Sequence, residues 1–129
     1  KMNSVTISGY VLDKTIYRKC EDDPTKMEYY FLVYCYEPFT KTNSKIPVRA
    51  YGSLANECYA HLCTNCYVEV NGGLVRPNET SFYVQVKDIV YRRPRSKRTY
   101  QYTSTEFIET FAPSQLIERL VSGDNGKKK

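Results

Sequence analysis

The chain has 129 residues, 41% of them hydrophobic and 26% charged, with 13 tyrosines, five phenylalanines and no tryptophan. That size allows one domain plus an appendage, and no apolar run approaches the length needed to span a membrane. The formal net charge of +5 is uneven: residues 1–91 carry ten basic and ten acidic side chains, residues 92–129 nine and four. An attraction to polyanions argued from overall charge is therefore an argument about the C-terminal third.

Five cysteines, an odd number, in a sequence with no visible secretory leader are expected in a reducing, intracellular compartment, where cysteine serves as a small hydrophobe. A lysine ahead of Met2 and the KKK ending have the look of an excerpt from a longer protein.

From Val5 to Val90 the apolar period is mostly two. Val5, Ile7, Gly9 and Val11 alternate with polar or larger neighbours up to Leu12, a long first strand in which Gly9 marks a bend or bulge. The acidic stretch Glu21, Asp22, Asp23, Pro24 is a loop. YYFLVYCY, Tyr29 to Tyr36, is a strong strand of aromatic and β-branched residues. Phe39 to Ser44 forms a loop, and Ile46, Val48 and Ala50 alternate as a third strand with Pro47 near its start. After Gly52 the period lengthens. Ser53 is the expected cap of a helix of about ten residues carrying Leu54, Ala55, Cys58, Ala60 and Leu62, with Asn65 in the left-handed turn beyond it. Tyr67 to Val70 resumes alternation, Gly72 and Gly73 break it, and RPNET is a tight turn. Phe82, Val84, Val86 and Ile89 close the set. Strand, strand, strand, helix, strand, strand, with a bent first strand, predicts an all-β fold: a five-stranded OB barrel with its helix between strands three and four.

Residues 1–91 form this predicted domain, and RRPRSKR opens a basic linker over 92–103. A C-terminal amphipathic helical extension follows over 104–123. There Thr103 and Glu106 have capping-box spacing ahead of Phe107, Ile108 and Phe111. Pro113 and Ser114 restart a helix with Leu116, Ile117, Leu120 and Val121, and Gly123 stops it. Residues 124–129 are read as a disordered basic end.

One histidine, no phosphate-cradling GxxxxGK[ST] loop and no nucleophile–base or paired-carboxylate pattern leave an enzyme without a constellation. No cofactor and no small-molecule substrate is expected. Cys58, His61, Cys63 and Cys66 invite a zinc reading. Only one Cys-x-x-Cys pair is present, however, and Cys58 sits on the helix face that should pack on the barrel. The stretch is read as structural, with no metal.

Binding fits better. With Phe31, Val33 and Cys35 inward, alternation turns Tyr30, Tyr34 and Tyr36 outward on one face. By the same rule Arg49 and Tyr51 lie outside on the third strand, and Tyr83, Gln85 and Lys87 on the last. Single strands lie on such faces with bases stacked on aromatic rings and phosphates near cations. Lys45 and Arg76 join the candidate set, with Arg92, Arg93 and Arg95 of the linker. Tyrosines on an exposed face are equally what a protein interface presents, so both readings stand. Phe107, Phe111, Leu116 and Leu120 are candidate partner-binding residues, free to dock in a groove or to fold back on the barrel.

NSVTISGYVLD, IPVRAYGSLANECYAHL and YVEVNGGL resemble the bacterial-type single-stranded DNA-binding protein family, without a gap from about Val48 to Val75 and more loosely over about 90 residues. The opening motif and the helix region are also similar to the OB-fold interaction proteins of the kinetoplastid mitochondrial RNA-editing complex. The resemblance implies a binder of single-stranded DNA or RNA working in a homo-oligomer or with other OB-fold subunits, and places Tyr51 at the family's contacting aromatic. Its second branch implies a mitochondrial scaffold. The chain departs from the first family in lacking tryptophan, in the short Arg76 to Ser81 loop, and in a tail that is basic and amphipathic rather than acid-tipped.

Overall fold

The computed structural model describes residues 2–92, 104–106 and 112–126. Strand β1 (Val5–Val11) is followed, across Leu12 and Asp13, by β2 (Lys14–Lys19). The first strand expected to end at Leu12 is thus the front half of a longer, bent one. β1 pairs with β5 (Tyr67–Val75) from Val5↔Gly72 to Tyr10↔Tyr67, then reaches β3 (Met27–Glu37) through Tyr10↔Tyr34 and Val11↔Val33. Gly9 sits at the crossing. A Cβ there would collide with the carbonyl oxygen of Tyr34, so only glycine lets β1 bend from one partner onto the other.

β3 runs antiparallel to β2 and to β4 (Thr42–Tyr51). Helix α1 (Ser53–His61) follows, then β5 and β6 (Tyr83–Arg92), which pair antiparallel, while β4 touches β6 in parallel at Val48↔Val84 and Arg49↔Gln85. Counting β1 and β2 as one bent strand, this is a closed five-stranded OB barrel. Its register breaks once, between Asn71↔Asp88 and Gly72↔Val86, leaving Lys87 as the extra residue of a bulge. The cap of α1 is Gly52 with no side-chain hydrogen bond, not Ser53, because the chain turns into the helix one residue earlier. Asn65 takes the left-handed conformation expected of it, with φ of 69°.

The barrel interior holds Val11, Tyr29, Phe31, Val33, Val48, Ala50, Val68, Val70, Val84 and Val86, with Ala55, Cys58 and Leu62 of the α1 region closing one end. A second cluster lies outside the barrel wall. Helix α2 (Pro113–Gly126) lays Leu116, Ile117 and Leu120 on Ile16, Tyr30, Leu32 and Tyr83. β3 is therefore buried on both faces from Tyr29 to Val33, which explains why that stretch, YYFLV, is continuously aromatic or aliphatic rather than alternating.

Two expectations for the extension change. Ser104–Glu106 is a strand, β7, paired in parallel with β2, where capping-box spacing suggested a helix start. The ladder Lys14↔Ser104, Thr15↔Thr105 and Ile16↔Glu106 extends the sheet beyond β2, and that pairing outweighs a local capping preference. α2 begins at Pro113 as expected, with the Gln115 side chain accepting from the Ala112 N–H, but it runs through Gly123 to Gly126. Phe107 and Phe111 lie outside the described residues. Among those described, no helix is long and apolar enough to cross a membrane.

Candidate nucleic-acid interface

Alternation along β3 puts Glu28, Tyr30, Leu32, Tyr34 and Tyr36 on the outer face, with Tyr51, Arg49, Pro47, Lys45 and Asn43 opposite them on β4. α2 divides this face. Under the helix, Tyr30 is fully buried and Tyr83 is 9% exposed, the two rings meeting edge to face at 6.1 Å. The outward direction expected for both is right relative to the barrel, yet neither is open to a ligand, because α2 covers them. Leu116 and Leu120, expected either to reach a partner or to fold back on the barrel, fold back, do the covering and are themselves buried.

Beside Tyr30 lies a buried charge network. Glu28 accepts from Arg18 Nε on one carboxylate oxygen, and on the other from Arg49 Nε at 2.7 Å and the Tyr30 hydroxyl at 3.4 Å. Arg49 also donates to Gln85 Oε1 at 2.7 Å and lies over the Tyr51 ring at 5.1 Å. Burial works against the Arg49 charge, but the Glu28 carboxylate more than offsets it and holds the pKa above the ordinary arginine value. Arg49 is thus committed to this network rather than free to meet a phosphate. Burial also raises the Tyr30 and Tyr83 phenols, keeping both neutral.

Beyond the helix the face opens. Tyr34 is 40% exposed and Tyr36 59%, with Lys45 half-buried opposite Tyr34, while Tyr51, 39% exposed, stands apart at the other end of β4, opposite Glu28. Arg76 is exposed and donates to the Glu79 carbonyl within its own turn, where Asn78 Oδ1 accepts from the backbone N–H of Thr80 and Ser81. Lys87 is exposed on the bulge, out of step with Tyr83 and Gln85. Arg92 is exposed at the end of β6, with Nε 3.4 Å from Glu69. Arg93 and Arg95 lie outside the described residues.

The register also assembles a row that alternation alone could not show. Lys45 pairs with Tyr34, Tyr34 with Tyr10, Tyr10 with Tyr67 and Tyr67 with Arg92. Tyr10 is 48% exposed and meets Tyr67 edge to face at 5.1 Å. Tyr10 and Tyr67 went unnoticed in the sequence, although both stand at outward positions of strands. The cysteine-rich stretch is packing. Cys58, Cys63 and Cys66 are buried, and burial pushes the Cys58 thiol up to about 12. Among the described residues no three His, Cys, Asp or Glu side chains converge to hold a metal.

A closed barrel plugged by a helix between its third and fourth strands defines an OB fold of the type found in single-stranded DNA-binding proteins. The SSB domain of a Synechococcus sp. protein superimposes with a TM-score of 0.61 at 18% identity, over 69% of this chain and 94% of that one. The second single-stranded DNA-binding protein of Mycobacterium smegmatis gives 0.59 at 20%, over 69% and 87%. PriB of Ralstonia solanacearum gives 0.56 at 10%, over 71% and 100%. No protein-family model matches the chain, and no curated protein matches it by sequence.

Proposed function

We propose that this chain binds single-stranded nucleic acid with little sequence specificity, working in an oligomer or a larger complex, as a binding protein rather than an enzyme. The observation that carries the reading is the open part of the outer face, where Tyr34 and Tyr36 stand exposed beside Lys45 on β3 and β4 of an SSB-type barrel, with Tyr51 exposed at the far end of β4. Rings of this kind stack any base, because every base has a π-face, at about 1–3 kcal/mol per base. The likeness to proteins named for binding single-stranded DNA supports the same reading. So does a neighbour described as the dimeric N-terminal domain of a PriB protein, which supports assembly.

A scaffold is the second reading, favoured by Phe39, 93% exposed near the β3–β4 turn, a position suited to a protein contact. None of the structural neighbours named above is an RNA-editing protein. Fluorescence anisotropy with labelled oligo(dT) and oligo(U) at two salt concentrations, with light scattering for mass, tests the proposal. Micromolar or tighter, salt-sensitive binding is expected, weakened in Tyr34→Ala and Tyr51→Ala with the mass unchanged. A folded chain that binds neither oligomer, and whose mass drops in those variants, is a scaffold.

A further inference from the structure

We propose that the strand crosses the barrel along the transverse row Lys45–Tyr34–Tyr10–Tyr67–Arg92. This rests on the nucleic-acid reading above and names the site within it. The usual course over the middle of the β3–β4 face is closed here, because α2 buries Tyr30, Leu32 and Tyr83. Tyr34, Tyr10, Tyr67 and Arg92 of the row lie outside that cover, and Lys45 stands at its edge, lining a pocket with Ile117 and Glu118 of α2. The row's five residues are successive cross-strand neighbours on β4, β3, β1, β5 and β6, so their side chains leave the same side of the sheet.

Strands lie about 4.8 Å apart, which makes the row about 20 Å long, at the short end of the sites of about 4–16 nucleotides that OB folds cover. Three adjoining tyrosines form its middle and a cation stands at each end, the order that stacked bases flanked by phosphates require. The central pair is held in place before any ligand arrives. The Tyr67 hydroxyl donates to Ser8 Oγ at 3.0 Å and its ring braces Tyr10, so little side-chain freedom is left to lose on binding. Gly9 is what brings Tyr10 beside Tyr34, since β1 could not otherwise bend onto β3. Glu69 is the acid beside Arg92, and their contact is between groups 43% and 55% exposed, so a phosphate can replace it. The sequence leaves Arg92 as RPRSKR, adding Arg93, Arg95, Lys97 and Arg98 directly after the row's basic end. That charge favours a polyanion over a protein partner as the occupant.

Two experiments on the full chain test this. Oligo(dT) carrying 5-iodouracil, crosslinked by light and mapped by peptide mass, should label Tyr10, Tyr34 or Tyr67. Tyr10→Thr and Tyr67→Thr keep strand-forming side chains and should each weaken oligo(dT) at least about fivefold, with the chain still folded at the assay temperature and the mass unchanged. Arg92→Gln should lower the slope of log affinity against log salt by about one. If the wild-type chain binds, yet both threonine variants stay within about twofold of it, or crosslinks fall only outside the row, the row is wrong and the broader reading survives. If Tyr10→Thr alters mass but not affinity, the row is a protein contact and the proposal falls. A wild-type chain that binds no oligonucleotide removes both together.

Discussion

Replacing Glu28 by Gln removes the one negative charge between two guanidinium groups while keeping the side chain's shape. Glu28 and Arg18 are each 2% exposed, and the Arg49 side chain is 17% exposed, so water can do little to screen what remains. A glutamine would keep one acceptor oxygen but turn an amide N–H₂ toward one of the arginines, leaving two like charges in a covered site. Breaking a buried pair from one side costs about 3–5 kcal/mol. A domain of this size has about 5–15 kcal/mol in all, so the melting temperature should fall by roughly 10–20 °C. Urea unfolding followed by far-ultraviolet circular dichroism measures the loss. Adding Arg18→Met removes the surplus cation, and the double variant should recover about 1–3 kcal/mol as coupling in the mutant cycle. A Glu28→Gln loss below about 1 kcal/mol, with no coupling to Arg18, would mean that the pair is hydrated like a surface ion pair.

The cover itself can be tested with Leu120→Ala. Leu120 is 1% exposed against the Tyr30–Leu32–Tyr83 cluster, and its truncation should cost about 2–5 kcal/mol in urea if α2 unfolds with the barrel. An unchanged midpoint would show the helix undocking ahead of the barrel. Stability should also fall at alkaline pH. Burial raises the Cys58 thiol to about 12 and raises the Tyr30 and Tyr91 phenols, so above about pH 9 the native chain keeps protons that the unfolded chain has lost. The unfolded state then binds fewer protons, so stability is complete below about pH 8.5 and declines from pH 9 towards 12. A urea midpoint as high at pH 10.5 as at pH 8 would contradict the burial of these groups.

The barrel was legible because its signals are local. The alternation of β3 and β4, the change of period after Gly52 and the glycine in the first strand each report on a few neighbouring residues. What escaped depends on distant parts of the chain meeting. Tyr30 and Tyr34 are equivalent by alternation, and only the position of α2 makes one core and the other surface. Lys87 is left out of the ladder because a bulge against Gly72 shifts the count by one, a long-range pairing that alternation within β6 does not specify. Thr103 to Glu106 reads as a capping box until the open edge of β2 is known to lie within reach. The row through Tyr10 and Tyr67 is invisible without register, because its five members come from five different strands.

The pairing of Lys14 with Ser104 joins the start of the barrel to a segment made after the whole barrel. Loop closure over that much chain is entropically late, while β3–β4 and β5–β6 can zip from their turns. On a ribosome the barrel can therefore close before β7 and α2 emerge. For that interval Tyr30, Leu32 and Tyr83 are bare, and the order of synthesis leaves the nascent domain with a sticky wall that a later-made segment must reach before another chain does.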